Sequence, residues 1–181
     1  DRFPSLVHVG PDRLVLAVFA HPDDESLACG GTLARLADEG AEVVIMSASH
    51  GERGGQSGPV RDDALGRRRS LELEHAARVL GASRLVIWDH PDGDLRWAGV
   101  SEFHADLVLF MRRHRPACVI TFGDDGLYWH LDHVGVHERT TAAVRSLVTS
   151  STTMAPRCTV SSAAVKPGSA RGRQAISPSR V

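Results

Sequence analysis

The sequence predicts a three-layer α/β/α sandwich around a mostly parallel sheet. Three observations predict it. Four short apolar runs, rich in β-branched residues, each precede a segment whose apolar side chains recur at helical spacing. The runs show no polar alternation, as strands do not when helices cover both faces of their sheet. The histidines and paired acids gather directly after the runs, at what a parallel sheet makes its carboxyl edge.

Leu14–Phe19 (LVLAVF) reads as the first strand and Leu27–Glu39 as the first helix, stopped by Gly40. Glu42–Ser47 (EVVIMS) is the second strand, followed by a polar, glycine-rich stretch from Ser49 to Asp63. Ala64–Leu80 is the second helix, ending at Gly81. Arg84–Trp88 (RLVIW) is a third strand and Ser101–His114 a third helix. Ala117–Phe122 (ACVITF) is a fourth strand and Val134–Val148 a fourth helix. Each helical crossover returns the chain to the same edge, so the strands pair in parallel, in a Rossmann-like arrangement.

A chain of 181 residues is long enough for one domain that hides roughly two-thirds of its unfolded surface. Its 42% hydrophobic and 24% charged residues exclude a disordered or fibrous class. Cys29, Cys118 and Cys158 are odd in number and far apart, which argues against a thiolate metal site and for small buried apolar residues. No basic-then-apolar leader opens the chain, and no apolar run approaches the roughly 18 residues of a membrane span. The expectation is a cytoplasmic protein without stable membrane insertion.

The net charge of −1 is unevenly spread. Residues 1–138 carry 14 basic and 22 acidic side chains, whereas residues 139–181 carry 7 basic and none acidic. An acidic body argues against a nucleic-acid partner, which calls for clustered Lys and Arg. Residues 1–149 therefore read as the functional domain. Residues 150–181, with scattered Ser, Thr, Pro and Arg, read as a poorly ordered or incomplete basic tail in which no strand is expected.

The residues after the four runs are AHPDDE, SHGERGG, DHPDGD and GDDGLYWHLDH. Hydrolytic zinc sites take three ligands from His, Asp and Glu and leave a fourth position for water. His21 and Asp24 offer two ligands from one loop, and His133 offers the third from the loop after the fourth run; His137 competes with it. This donor set suits Zn²⁺ and accepts Fe²⁺ or Co²⁺. Asp23 is then the spare carboxylate, a candidate general base. His130 is a candidate for stabilising an oxyanion or protonating a leaving amine. Asp132 orients an imidazole, either that of a ligand or that of His130. Tyr128, the single tyrosine, is a candidate hydrogen-bond donor to a tetrahedral intermediate. The competing reading is chance: among 10 histidines some fall near acids, and an HxxH spacing alone is weak.

HPDDE after the first strand and HLDH after a later one resemble the LmbE-like, or PIG-L, family of N-acetylglucosaminyl deacetylases, and the match runs in order over about residues 13–149. Ser49-His50-Gly51-Glu52-Arg53-Gly54 resembles its Thr-x-Gly-Glu-x-Gly loop, with Ser for Thr. Arg69-x-x-Glu72 and Pro91-Asp92-Gly93 resemble two further motifs. The resemblance implies a zinc-dependent amidohydrolase with His21, Asp24 and His133 on the metal, Asp23 as base and His130 assisting. It implies a small amino-sugar conjugate as partner, with Arg69, Arg53 and Asp92 or Asp94 on its hydroxyls. For Arg69 a solvated helical turn, Arg67-Arg68-Arg69, is the equal alternative. Relatives act on N-acetylglucosamine joined to inositol, phosphatidylinositol, malate or antibiotic aglycones, and some act on chitin oligosaccharides. They continue past the last helix with further strand and helix, from which residues 150–181 depart.

Two rival readings remain. One is a sugar-binding or regulatory module of the same fold that no longer turns over. The other is a nucleotide-binding domain, disfavoured because HPDDE stands where a glycine-rich phosphate loop belongs. Oligomeric state and aglycone leave no mark on the sequence.

Overall fold

The computed structural model describes residues 13–54, 62–97, 100–149 and 160–162. The elements run β1 (Leu14–Phe19), α1 (Asp24–Asp38), β2 (Glu42–Ser47), α2 (Asp63–Val79), β3 (Arg84–Ile87), α3 (Val100–His114), β4 (Cys118–Thr121), α4 (Gly126–Trp129), α5 (Leu131–Thr149) and β5 (Val160–Ser162). The sheet order is β3-β2-β1-β4-β5 and every pairing is parallel. The expected α/β architecture is present.

β5 corrects one expectation. Val160 and Ser162 pair with Val119 and Thr121. A strand therefore exists beyond residue 150, where the Ser/Thr-rich composition concealed it. The rest of the tail, including Cys158 and the apolar cluster 163–165, lies outside the described residues.

β1 sits at the centre because it is apolar on both faces: Val15 through Ala20 are at most 1% exposed. One hydrophobic core joins it to Val43–Met46 of β2, Leu33 and Leu36 of α1, Leu73 of α2, Leu107 and Met111 of α3, and Val136 and Ala143 of α5. Truncating one such leucine to alanine typically costs about 2–5 kcal/mol. β3 is the edge strand at one side and only half-buried.

Helix starts differ from the sequence expectation. α1 begins at Asp24, three residues before Leu27, because Ser26 and Leu27 donate their backbone N–H groups to the Asp23 carbonyl at 3.1 and 3.0 Å. The acidic loop is thus itself the first helical turn. α5 likewise begins at Leu131 rather than Val134, and the unexpected short α4 precedes it. α2 is capped by Asp62, whose carboxylate accepts from Ala64 N and Leu65 N. β3 and β4 are each shorter than their apolar runs, ending at Ile87 and Thr121.

Chain direction across the sheet reverses at β1: β2 and β3 lie on one side, β4 and β5 on the other. The loops after β1 and β4 therefore diverge around a crevice at the carboxyl edge, where open α/β sheets bind ligands.

Candidate active site

That crevice brings together side chains more than a hundred residues apart. His21 Nδ1 lies 3.5 Å from Asp24 Oδ2 and 3.3 Å from His133 Nε2, and His133 Nε2 lies 3.2 Å from Asp24 Oδ1. These separations match the ~3.3 Å edge of a tetrahedron with ~2.0–2.1 Å bonds to zinc. His21, Asp24 and His133 are 8%, 4% and 1% exposed. The donor set fits a small divalent ion.

Each imidazole is fixed by a bond on its other nitrogen. His133 Nδ1 donates to the Gly126 carbonyl at 3.1 Å, leaving Nε2 with a lone pair, and its ring stacks on Phe122 at 4.1 Å. His21 Nε2 lies 3.0 Å from both Asp132 Oδ2 and Asp92 Oδ1, so its proton belongs there and Nδ1 faces the cluster. Asp132 also accepts from the backbone N–H groups of Gly93 at 2.7 Å and Leu95 at 3.0 Å. Of its two sequence readings, Asp132 takes the contact with His21. Its only bond toward His130 is through its backbone, N–H to Nδ1, at 3.3 Å. His21, His130 and Asp132 also have ligand-like separations, but the carboxylate oxygen facing His21 is already shared with Gly93.

Above the cluster opens a cavity of about 310 Å³. Asp23, Arg53, Arg69 and Asp92 are among its lining residues, together with Tyr128 and His130. Asp23 has the disfavoured backbone φ of 122°, and its carboxylate accepts from Arg69 Nη2 at 2.9 Å instead of capping α1. Such a conformation costs of order 1–3 kcal/mol and persists only where its surroundings impose it. The bond from Asp132 leaves His130 with its neutral-ring proton on Nε2, a donor.

The candidate sugar contacts are distributed differently from one another. Asp92 is 5% exposed and engaged by His21 and by Arg53 N at 2.6 Å. Asp94 lies outside the cavity lining and pairs with Arg53 Nη1 at 3.0 Å. Arg69 is neither solvated nor free, being bonded to Gly51 O, Pro22 O and Asp23. His137, the competing ligand, instead donates Nδ1 to the Phe122 carbonyl at 2.8 Å.

Charge in the site is unbalanced. Burial alone pulls His21 down, but the carboxylates of Asp132, Asp24 and Asp92 override it and hold the ring well above its ordinary value. Burial pushes Asp24 and Asp92 up, but His21, helped by His133 at Asp24 and by the Arg53 N–H and Arg69 at Asp92, holds both below their ordinary values. His133 is lowered to about 4, first by burial and then by the neighbouring His21 and His130, so it is neutral and able to ligate. Burial raises Asp23 against the opposing pull of Arg69, and burial followed by the Asp24 charge raises Tyr128, keeping its phenol a donor. Three buried carboxylates around one imidazole form an acid excess that a single divalent cation balances.

Several contributors were not among the sequence candidates. Glu25 is 1% exposed and accepts the Asp23 N–H at 3.1 Å. Glu52 is 3% exposed and accepts from Asp92 N at 3.3 Å. Ser49, fully buried, donates to Ala20 O at 2.9 Å and so joins the second loop to the first. An acid embedded in each loop motif was the one available signal.

An α/β sandwich of parallel strands with a buried His/Asp/His group at its switch point defines a class, the Rossmann-like proteins with a candidate metal centre. Within that class the chain belongs to the PIG-L family, described as GlcNAc-PI de-N-acetylase, which residues 16–144 match. It is 36% identical to a 1D-myo-inositol 2-acetamido-2-deoxy-alpha-D-glucopyranoside deacetylase of Kineococcus radiotolerans, over 80% of this chain and 47% of that protein. The chain thus spans about half the length of this relative. Among solved structures it resembles the N,N'-diacetylchitobiose deacetylase of Pyrococcus horikoshii, with a TM-score of 0.66 and 27% identity over 74% of this chain and 49% of that one. It also resembles GalB, the 4-carboxy-2-hydroxymuconate hydratase of Pseudomonas putida, with a TM-score of 0.64 and 25% identity over 74% and 56%. No helix among the described residues is long and apolar enough to cross a membrane.

Proposed function

We propose that the chain is a metal-dependent N-deacetylase, a hydrolase that removes an acetyl or other acyl group from the amine of an N-acetylglucosamine-type conjugate. Its ion is Zn²⁺, with Fe²⁺ or Co²⁺ as substitutes. The observation that carries the reading is the mutual 3.2–3.5 Å spacing of donor atoms on His21, Asp24 and His133 beneath a cavity lined by an uncapped Asp23. The names of the Kineococcus and Pyrococcus relatives, both deacetylases of acetylated amino sugars, support the substrate class.

His21, Asp24 and His133 hold the ion, which when bound supplies Lewis acidity toward water and a carbonyl oxygen. Asp132 and Asp92 fix the His21 ring by accepting from Nε2. Asp23 takes a proton from the attacking water, and Tyr128 donates to the oxygen on which negative charge develops. His130 bonds the same oxygen through its Nε2 hydrogen, and the proton held by Asp23 passes to the amide nitrogen as the C–N bond breaks, so one water is consumed while a carboxylic acid and a free amine leave. Arg53 and Asp92 form the polar wall against which a sugar ring rests, and Asp94 holds Arg53 from outside the cavity. The catalytic domain is residues 1–149 together with β5, which adds residues 160–162 to its sheet, and the setting is cytoplasmic.

Hydration of a carbon–carbon double bond is a second reading, favoured by the likeness to GalB alone. Zinc-loaded protein incubated with a panel of N-acetylglucosamine conjugates is expected to release acetate and amine in equal amounts. No acetate from any of them, with an unsaturated carboxylate consumed instead, transfers the assignment to hydration.

A further inference from the structure

The glycine-rich loop after β2 makes room for a guanidinium. A Cβ on Gly51 would lie 2.2 Å from Arg69 Nη1, and one on Gly54 2.4 Å from the same atom. Into that gap α2 inserts Arg69, whose side chain is 16% exposed. Nη1 donates to Gly51 O at 2.8 Å. Nη2 uses both of its hydrogens, one on Pro22 O at 2.8 Å and one on Asp23 Oδ2 at 2.9 Å.

The two acceptors of Nη2 bracket the peptide leading into Asp23, the residue at φ 122°. A planar fork of fixed donors determines orientation in a way that a point charge does not. Asp23 N is held from the other side by Glu25, so backbone and carboxylate are gripped at separate points. We propose that Arg69 is the positioning residue for Asp23, aiming its carboxylate into the cavity through a guanidinium seated against Gly51 and Gly54. This rests on the deacetylase reading above, in which Asp23 is the base. It reassigns Arg69 from substrate contact to alignment, because Nη2, the nitrogen that faces Asp23, has both hydrogens engaged within the protein.

The test compares Arg69→Ala, Arg69→Lys and Gly54→Ala, alone and combined with Asp23→Asn, with zinc content and Tm measured beside kcat and KM. Gly54→Ala keeps the arginine and displaces only its head. Misplacing a catalytic group by about 1 Å costs on the order of 10²-fold. Arg69→Ala and Gly54→Ala are expected to lower kcat by about that factor with KM within about 3-fold, to bind zinc as the parent does, and to have little further effect once Asp23 is Asn. Added guanidinium is expected to restore turnover to Arg69→Ala, and lysine to restore far less. A raised KM with unchanged kcat, or full additivity with Asp23→Asn, overturns positioning in favour of substrate contact. If the parent protein releases no acetate, the deacetylase reading fails separately. A crystal structure of Arg69→Ala then decides the alignment: Asp23 departing from φ 122° supports it, and Asp23 unmoved overturns it.

Discussion

Asp132 meets His21 across 111 residues of chain, with 3.0 Å between Oδ2 and Nε2. The same carboxylate holds the N–H groups of Gly93 and Leu95, so one buried acid orients an imidazole from the first loop and closes the third. Outer partners of this kind typically contribute 10–100-fold in metal affinity. Asp132→Ala is therefore expected to weaken zinc binding by about that range, read by competition with a fluorescent chelator. Unchanged affinity would show that the two aspartates flanking His21 are redundant.

Asp23→Asn keeps the shape of the side chain and removes its basicity. The expected outcome is full zinc occupancy with turnover reduced by roughly 10²–10⁴. Metal analysis and acetate release on the same sample check both halves, and parent-like turnover removes Asp23 from the mechanism.

Removing the ion is expected to destabilise the protein as well as silence it. A ligand present at 100 times its Kd stabilises the folded state by about 2.7 kcal/mol. Chelated protein is expected to melt several degrees lower and to recover on adding Zn²⁺, whereas His133→Ala is expected to melt at one temperature with or without the ion. A chelator-insensitive Tm in the parent counts against the centre.

His90 supplies a pH effect away from the ion. Its ring lies 4.8 Å from that of Phe103 and 5.6 Å from that of Trp88, and burial there lowers its pKa against the opposing pull of Asp106, Glu102 and Asp89. Above its ordinary value near 6.5 both folded and unfolded forms are neutral and the ring has no effect. As pH falls through that value the unfolded chain protonates first, so stability is lost toward acid. Urea midpoints at pH 7.5 and 5.5 are expected to differ less in His90→Gln than in the parent, and an equal difference in both removes the assignment.

Local pattern carried the strands. Leu14–Phe19 and Glu42–Ser47 occupy the positions expected of them because uninterrupted apolar runs admit few alternatives in a buried parallel sheet. Helix starts were less legible, since Asp24 opens α1 through bonds to the Asp23 carbonyl that no periodicity announces. The grouping of His21, Asp24 and His133 was readable from motifs placed after strands. The engagement of Asp92 by His21 and the seat of Arg69 were not, because both depend on how loops from different crossovers meet. β5 escaped notice because a three-residue Val-Ser-Ser strand is defined by its pairing with β4 and not by its composition.

His21 follows β1, where the strand order reverses, and His133 follows β4 beside it, with their facing nitrogens 3.3 Å apart. A nascent chain emerging from the ribosome possesses the first half of the constellation long before the second. In the proposed centre the three-donor grip closes only once α5 has docked, and a truncation ending before residue 133 lacks the third donor.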